Sequence, residues 1–207
     1  MTGRDEYLGR ISRQGEAEAK KWMPFASISG IIFLVATIWA YIATKDMVIT
    51  LAAVGFTVWW PMFGFSHVLD GKSMANHPEK LKWLKKSPQM YYDMADVLFK
   101  DIIYEDEDVI LSKGAVANAR NLSQIAYTKD VFLVYKYQNR ARITIVTFTT
   151  AELLVLLTAG NPVIINIKKK TGAGVLADTI LSVCPNAKAG YTKEGLEYAN
   201  MMKQNRS

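Results

Sequence analysis

The stretches PFASISGIIFLVATIWAYIAT, residues 24–44, and MVITLAAVGFTVWWPMFGFSHVL, residues 47–69, decide the fold of this chain. Neither contains a Lys, Arg, Asp or Glu. Each is long enough to cross the roughly 30 Å hydrocarbon core of a bilayer as a helix of about 20 residues. Since only Lys45 and Asp46 separate the two stretches, the sequence predicts a tight membrane hairpin of two transmembrane helices.

Positive charge flanks the hairpin on the side of both chain termini, whereas the turn carries Lys45 alone. The flanking basic residues are Arg4, Arg10, Arg13, Lys20 and Lys21 before the hairpin, and Lys72, Lys80, Lys82, Lys85 and Lys86 after it. Lysine and arginine near the ends of membrane helices stay in the cytoplasm. We therefore expect a multi-pass protein of the plasma membrane with both termini cytoplasmic.

Composition narrows the class of protein further. The chain has 207 residues, a net charge of +6 and Cys184 as its single cysteine. One cysteine excludes an intramolecular disulfide and suits a reducing compartment. The residues after the hairpin suffice for one small domain with its own core. The modest positive charge is explained by membrane topology, without a nucleic-acid partner.

These patterns divide the chain into four segments. They are a cytosolic N-terminal segment at 1–23, the transmembrane hairpin at 24–69, a basic juxtamembrane connector at 70–100 and a folded domain at 101–207. Within the connector, we expect Asp70-Gly71 to end the second membrane helix. A further helix that follows Pro78 is expected to stop at Pro88.

The connector also carries the residues that we expect to contact the membrane surface. They are Lys80, Lys82, Trp83, Lys85 and Lys86. A basic helix beside a bilayer attracts anionic lipid headgroups, at about 1 kcal/mol for each nearby lysine. The alternative is a solvated connector that binds no lipid.

Residues rich in β-branched and aromatic side chains follow residue 101 and predict antiparallel strands. The predicted strands are 131–138 and 142–149, joined by a loop at 139–141, then 153–158 and 163–168, and two shorter strands at 108–112 and 122–127. Helices are predicted at 193–203 and at 175–184, the latter with an inner face of Val175, Leu176, Thr179, Ile180 and Val183. This order of elements predicts an α+β domain: a small antiparallel sheet or partly closed barrel capped by a C-terminal helix.

Three features of residues 70–200 resemble a known group of proteins. They are the basic connector with His77-Pro78, the strand sequence NLSQIAYTKDVFLVYKYQ at 121–138 and the helix end CPNAKAGYTKEGLEY at 184–198. The group comprises uncharacterised bacterial membrane proteins of the Gram-positive type, with an N-terminal membrane segment and a pleckstrin-homology-like (PH-like) cytosolic domain. Gly190-Tyr191 matches its pattern, whereas Pro185-Asn186 reverses its Asn-Pro order. The resemblance implies a PH-like fold and brings no activity with it.

The soluble part offers one suggestive ligand site. It consists of Lys168, Lys169, Lys170, Thr171, Gly172 and Gly174, just before a predicted helix. Free N–H groups and the positive end of the helix dipole favour a phosphate or a lipid headgroup there. The glycines are not followed by Lys-Ser or Lys-Thr at Walker A spacing. The alternative is an exposed strand end with a helix cap.

Other polar residues do not form a catalytic or metal-binding pattern. The acidic run at 105–108 lacks the ligand spacing of a calcium loop and predicts a solvated turn. His67 and His77 lack nearby ligands at metal-binding spacing, and Cys184 is expected to be a buried apolar residue. We therefore expect no enzyme, no cofactor and no metal site.

The expected function is that of a membrane-anchored scaffold or binding protein. Its cytosolic domain would engage lipid headgroups, a protein partner or another copy of itself at the inner membrane face. The alternative is a small oligomeric transporter or channel subunit that acts through the hairpin. The scarcity of ionisable residues within the two apolar stretches argues against that alternative.

Overall fold

The computed structural model describes residues 2–143, 146–167 and 173–205. The chain forms two compact units, one of Leu8–Lys85 and the other of Met1–Tyr7 together with Lys86–Ser207. These units divide the chain at other places than the four segments expected from the sequence, and those segment boundaries stay a prediction.

Two long helices build the first unit. Helix α1 spans Gly3–Thr44 and helix α2 spans Met47–Asn76. By length and composition, both are apolar enough to cross a membrane. The expectation that Asp70-Gly71 ends the second helix is wrong, because the helix continues five residues beyond Gly71, to Asn76. The helix continues there because Gly71 packs against α1 instead of breaking the backbone.

The turn between the two helices lies where the sequence predicts it. Lys45 has a positive φ of 50°, which reverses the chain. Asp46 then caps α2, since its carboxylate accepts hydrogen bonds from the backbone N–H groups of Val48 at 2.7 Å and Ile49 at 3.3 Å. Such a cap satisfies two of the four N–H groups that a helix start leaves without partners.

Small residues bring the backbones of α1 and α2 into close contact. A Cβ atom added to Gly71 would lie 2.7 Å from the backbone nitrogen of Ala19 and 2.8 Å from the carbonyl oxygen of Gly15. A Cβ atom on Gly64 would meet Ala26 at 3.0 Å. Side chains larger than hydrogen therefore do not fit at these positions without separating the helices. We call these contacts the glycine seam.

Hydroxyl groups add hydrogen bonds between the same two helices. Ser12 donates to the carbonyl oxygen of Ala75 at 2.7 Å. Further along, the hydroxyls of Thr37 and Thr57 bond each other, and Thr57 also reaches the carbonyl oxygen of Phe33 at 3.0 Å. The threonine hydroxyls are thus satisfied within the hairpin.

Three short helical segments follow α2. A 3-10 helix spans Pro78–Lys80, helix α3 spans Lys82–Lys86 and helix α4 spans Pro88–Lys100. The single helix expected after Pro78 is therefore split, because Leu81 adopts an extended backbone with ψ of 135°. Pro88 begins α4 instead of only stopping its predecessor, as suits a residue without an N–H group.

The second unit contains two four-stranded sheets. Their strands are β1 Ile102–Glu105, β2 Val109–Ser112, β3 Ala115–Asn118, β4 Asn121–Tyr127, β5 Val131–Ile143, β6 Val146–Thr158, β7 Val163–Ile167 and β8 Lys188–Ala189. The orders are β1-β2-β3-β4 and β7-β6-β5-β8. All pairs are antiparallel except the short parallel pair of β5 with β8. The predicted antiparallel class and C-terminal helix are confirmed.

One long hairpin replaces part of the predicted strand arrangement. The expected loop at 139–141 is wrong, because Asn139 pairs with Ala151 inside the ladder of β5 and β6, which extends to the pair of Ile143 with Val146. The ladder shows a register shift between Asn139 and Arg140, and the strand continues through it. The strands predicted separately at 142–149 and 153–158 thus belong mainly to one strand, β6.

The core of this unit lies between the sheets and helix α5, Ala173–Val183. Its buried residues include Val109, Leu111, Val116, Val131, Leu154, Ile165, Leu176, Ile180 and Cys184. The predicted inner face of this helix is wrong at Val175, which is 69% exposed. The buried positions Leu176, Ile180 and Cys184 recur every four residues, which is the helical period.

Helix α6, Lys193–Gln204, packs on the outer face of β5. Its Ala199 joins Phe132 and Leu133 in a smaller apolar cluster. Thr192 caps the helix by accepting a hydrogen bond from the backbone N–H group of Gly195 at 3.0 Å. The predicted terminal helix is therefore confirmed to within one residue at its end.

Side-chain amides join the two sheets at the edge strand β7. Asn118 donates to the carbonyl oxygen of Ile164 at 2.7 Å, and Gln124 accepts from the N–H group of the same residue at 3.0 Å. The two amides also bond each other at 3.2 Å. Both backbone groups of Ile164 are thereby occupied, so the edge of β7 is closed to strand addition at this point.

The first residues of the chain belong to the second unit, which we call the β unit. Tyr7 is fully buried and donates its hydroxyl hydrogen to the carbonyl oxygen of Leu122 at 2.7 Å. The guanidinium of Arg4 lies 4.4 Å from the centre of the Tyr92 ring, and its backbone N–H group donates to Asp96 at 3.2 Å. Burial raises the pKa of the Tyr7 phenol above its ordinary value.

The glycine seam predicts the effect of one added methyl group. Gly71→Ala should destabilise the protein by about 1–3 kcal/mol, because the new Cβ meets backbone atoms that cannot rotate away. Gly55→Ala is the matched control, since open space surrounds Gly55 on the same helix. Thermal unfolding of both variants in detergent measures the difference. Equal midpoints for the two variants would contradict the close contact.

The buried hydroxyl of Tyr7 predicts a second stability effect. Tyr7→Phe should lower the free energy of unfolding by about 1–3 kcal/mol, because the carbonyl group of Leu122 loses the hydroxyl donor of the buried Tyr7 side chain. Tyr91→Phe is the control, since its hydroxyl lies 3.5 Å from the carbonyl oxygen of Ser123 and contributes a weaker bond. Chemical denaturation of the full chain compares the two.

The same residue predicts a dependence on alkaline pH. A phenol with a raised pKa stabilises the fold below its unfolded pKa of about 10, and this contribution is lost as the pH rises toward the folded value. The native chain should therefore lose stability above about pH 10, and Tyr7→Phe should lose less over the same range. Parallel pH profiles for the two proteins would show that Tyr7 is not the titrating group.

Candidate functional site

A cleft opens on the flank of the glycine seam. It has a volume of about 330 Å³ and lies entirely within the first unit, Leu8–Lys85, which we call the helical unit. Its lining residues are Glu18 and Trp22 of α1, His67, Asp70, Gly71, Ser73 and Met74 of α2, and Leu81. The lining therefore combines two carboxylates from different helices with aromatic and apolar walls.

Aromatic stacking holds one wall of this cleft. The rings of Trp22 and His67 are stacked with centroids 4.5 Å apart, and Phe63 meets His67 edge-on at 4.7 Å. Phe25 packs edge-on against Trp22 at 5.4 Å. Because these rings come from both helices, the relative position of the two helices fixes the wall.

The rim of the cleft carries charges of both signs. The Nζ atom of Lys21 lies 3.7 Å from a carboxylate oxygen of Glu18 and 5.9 Å from the centre of the Trp22 ring. Both members of the ion pair are more than half exposed, so their mutual attraction is weak and screened by salt. Lys21 itself does not line the cleft, so this ion pair lies beside it.

Sequence analysis did not single out this cleft, although its residues carry a signal. Glu18 and Trp22 are four residues apart, and His67 and Asp70 are three apart, so each pair shares one helix face. Trp22 lies two residues before the first uncharged stretch, and Asp70 follows directly after the second. The antiparallel pairing of the helices brings the two faces together at the ends of both stretches.

The predicted phosphate-binding turn lies mostly outside the described residues. Lys168, Lys169, Lys170, Thr171 and Gly172 are all outside them, and Gly174 lies in the first turn of α5 with open space around its Cα atom. The predicted role of this segment stays a prediction.

The connector lysines are exposed as a membrane-contacting role requires. Lys80 ends the 3-10 helix, and Lys82, Lys85 and Lys86 all lie on α3. Trp83, between them, is half-buried. Exposure alone does not distinguish lipid contact from a solvated helix, so this role also stays a prediction.

The acidic run at 105–108 forms a structured turn. The carboxylate of Asp106 accepts hydrogen bonds from the backbone N–H groups of Asp108 at 2.7 Å and Val109 at 2.9 Å. Arg120 pairs with the carboxylate of Asp108. The hydrogen bond to Asp106 raises the pKa of the Tyr104 phenol. Among the described residues, no group of His, Cys, Asp and Glu side chains is placed to hold a metal ion.

A second cleft, of about 240 Å³, lies in the β unit between α4 and β4. It is lined by Met90, Tyr91, Met94, Ser123, Gln124, Ile125, Ala126, Tyr127, Asp130, Thr158, Gly160 and Asn161. The lining is mainly apolar, with Asp130 as its one charged residue. It is suited to an apolar side chain of a partner more than to a phosphate.

Cys184 lies in the core, as the sequence predicts. It is 2% exposed, and burial raises the pKa of its thiol to about 12. A thiol of this kind is rarely deprotonated near neutral pH and is a poor nucleophile.

Comparisons of this chain with protein-family models, with curated proteins and with solved structures find no match. The resemblance to PH-like membrane proteins therefore stays a prediction.

Burial of Cys184 predicts slow chemical labelling. The native protein at pH 8 should react with a thiol reagent far more slowly than the protein in denaturant, because the thiol must first become exposed. Mass spectrometry of the single labelled cysteine measures both rates. Equal rates would show that the core around α5 is open in solution.

Proposed function

We propose that this protein is a membrane-anchored scaffold or binding protein. The hairpin of α1 and α2 is the anchor in the plasma membrane, with both termini in the cytoplasm. The β unit is a PH-like domain that engages its partner at the inner membrane face.

The exposed apolar surface of the two helices is the main support for this proposal. Large apolar side chains project outward along the whole hairpin, including Ile31, Val35, Trp39, Leu51, Val58 and Met62, each more than half exposed. Soluble monomers rarely expose contiguous apolar patches larger than a few hundred Å². A bilayer covers such a surface without further protein, and the uncharged stretches match its thickness.

Two architectural features support a PH-like domain. Two mainly antiparallel four-stranded sheets contribute to one core, and helices follow strand β7. The described residues of the domain offer amide clamps and ion pairs that stabilise the fold, such as Asn118 with Ile164 and Arg120 with Asp108.

The partner of the domain can be a lipid headgroup, a protein segment or a second copy. The exposed lysines of α3 favour anionic headgroups. The apolar strand β1 favours a protein, since all four of its residues are exposed and Ile103 is 46% exposed. As an edge strand, β1 also leaves one row of backbone groups open to strand addition.

The transporter or channel alternative receives less support. Ionisable groups on a transport path usually lie inside the bilayer and face a cavity. The hydroxyls of Thr37 and Thr57 bond each other and nearby carbonyl groups, so they do not present free polar groups to a path. A subunit of this kind would also need oligomers, because two helices cannot enclose a channel.

The proposed topology predicts which positions an impermeant reagent reaches. Met47→Cys, beside the turn, should be labelled by a membrane-impermeant maleimide on intact cells, because the turn is placed outside. Glu194→Cys, on exposed α6, should be labelled only after the cells are opened. The native chain is the control for background labelling of buried Cys184. The reverse pattern would contradict the proposed orientation.

A further inference from the structure

We propose that the cleft between Glu18 and Asp70 binds the zwitterionic headgroup of an aminophospholipid, with its primary ammonium on the carboxylates. This inference rests on the proposed membrane insertion of the hairpin. It adds a lipid site that is separate from the basic connector. The connector lysines attract anionic groups, whereas the carboxylates of the cleft attract a cationic group.

Position on the helices favours a lipid headgroup as the occupant. The cleft lies where the uncharged stretches of both helices end, next to Pro24 on α1 and Leu69 on α2. In an inserted hairpin this level coincides with the headgroup region, where tryptophan is common. An occupant at this depth has acyl chains beside the exposed apolar surface of the helices.

The chemistry of the lining favours an ammonium group. Glu18 and Asp70 bring two carboxylates to one cavity, and each can accept charge-assisted hydrogen bonds from a primary ammonium. Trp22 supplies an aromatic wall of the kind that attracts cations. The Nζ atom of Lys21, which does not line the cleft, lies 3.7 Å from the Glu18 carboxylate, so this carboxylate is accessible to a primary ammonium.

The exposed rim suits the phosphate of the same headgroup. Lys21 is 68% exposed along its side chain and is bound only by a weak surface ion pair. Its ammonium can turn toward a phosphodiester while the lipid ammonium takes the carboxylates. Met74 and Leu81 provide apolar walls for the short carbon linker of the headgroup.

The glycine seam makes the cleft a preformed site. Gly71 lines the cleft and at the same time contacts the backbones of Ala19 and Gly15. Gly64, two turns earlier on α2, also holds the helices together, against Ala26. Preformed sites lose little entropy when they bind.

Native mass spectrometry of the full chain tests this site. The protein is released from nanodiscs that contain equal amounts of phosphatidylethanolamine, phosphatidylcholine and phosphatidylglycerol, and the retained lipids are counted. Phosphatidylethanolamine should be retained about tenfold over phosphatidylcholine, a difference of about 1.4 kcal/mol. The quaternary ammonium of phosphatidylcholine has the same charge but no N–H group to donate to the carboxylates.

Matched variants identify the site. The double variant Glu18→Gln with Asp70→Asn should lose the preference, whereas Glu16→Gln, an exposed position on α1 that does not line the cleft, should keep it. All three proteins should enter nanodiscs equally, so failure of the lipid site is distinguishable from failure of the membrane anchor. Addition of free ethanolamine tests whether the amine alone competes; loss of the lipid at millimolar ethanolamine would show a soluble amine site and overturn the lipid assignment. Equal retention of phosphatidylethanolamine and phosphatidylcholine, or an unchanged preference in the double variant, would also overturn it.

Discussion

Close contact between the backbones of α1 and α2 is the constraint on which the helical hairpin depends. Water drives apolar helices together in a soluble protein, but lipid tails are as apolar as leucine and give no such driving force. Association in a bilayer depends on close packing and on hydrogen bonds between helices. Within the uncharged stretches, Gly64 against Ala26 supplies the close packing, and the bonds of Thr57 to Thr37 and to the carbonyl oxygen of Phe33 supply the hydrogen bonds. Beyond the stretches, Gly71 against Ala19 and the bond of Ser12 to Ala75 continue the contact. The same contacts set the spacing of Trp22 from His67, so the shape of the cleft follows from the seam.

The parts of the fold that could be predicted are those that depend on local composition. Two uncharged stretches around Lys45-Asp46 indicate a hairpin without knowledge of any partner residue. The helical conformation at Gly71 and the burial of Tyr7 could not be predicted in this way. Gly71 continues the helix because Ala19 lies beside it, and Tyr7 is buried because the carbonyl group of Leu122, far along the chain, accepts its hydrogen. Such outcomes depend on contacts between distant segments, which a local pattern does not contain.

The same distinction explains what sequence analysis missed at the candidate site. A charged run such as Lys168–Lys170 is easily recognised because its residues are adjacent in the sequence. The lining of the cleft comes from separate turns of two helices, so its residues do not form a run. The faces of Glu18 with Trp22 and of His67 with Asp70 are visible in the sequence only as spacings of four and three. Their meeting depends on the register between the helices, which the turn at Lys45 and the glycine seam determine together.

The proposed function requires that lipid covers the exposed face of the hairpin. Electron paramagnetic resonance of spin labels at Ile38→Cys and Val58→Cys in nanodiscs measures the environment of this face directly. The native cysteine, Cys184, is buried and contributes little background labelling. Both positions are more than half exposed on the helices. A lipid-covered face should show high accessibility to dissolved oxygen, which partitions into the bilayer, and low accessibility to a water-soluble nickel chelate. High accessibility to the nickel chelate at both positions would contradict it.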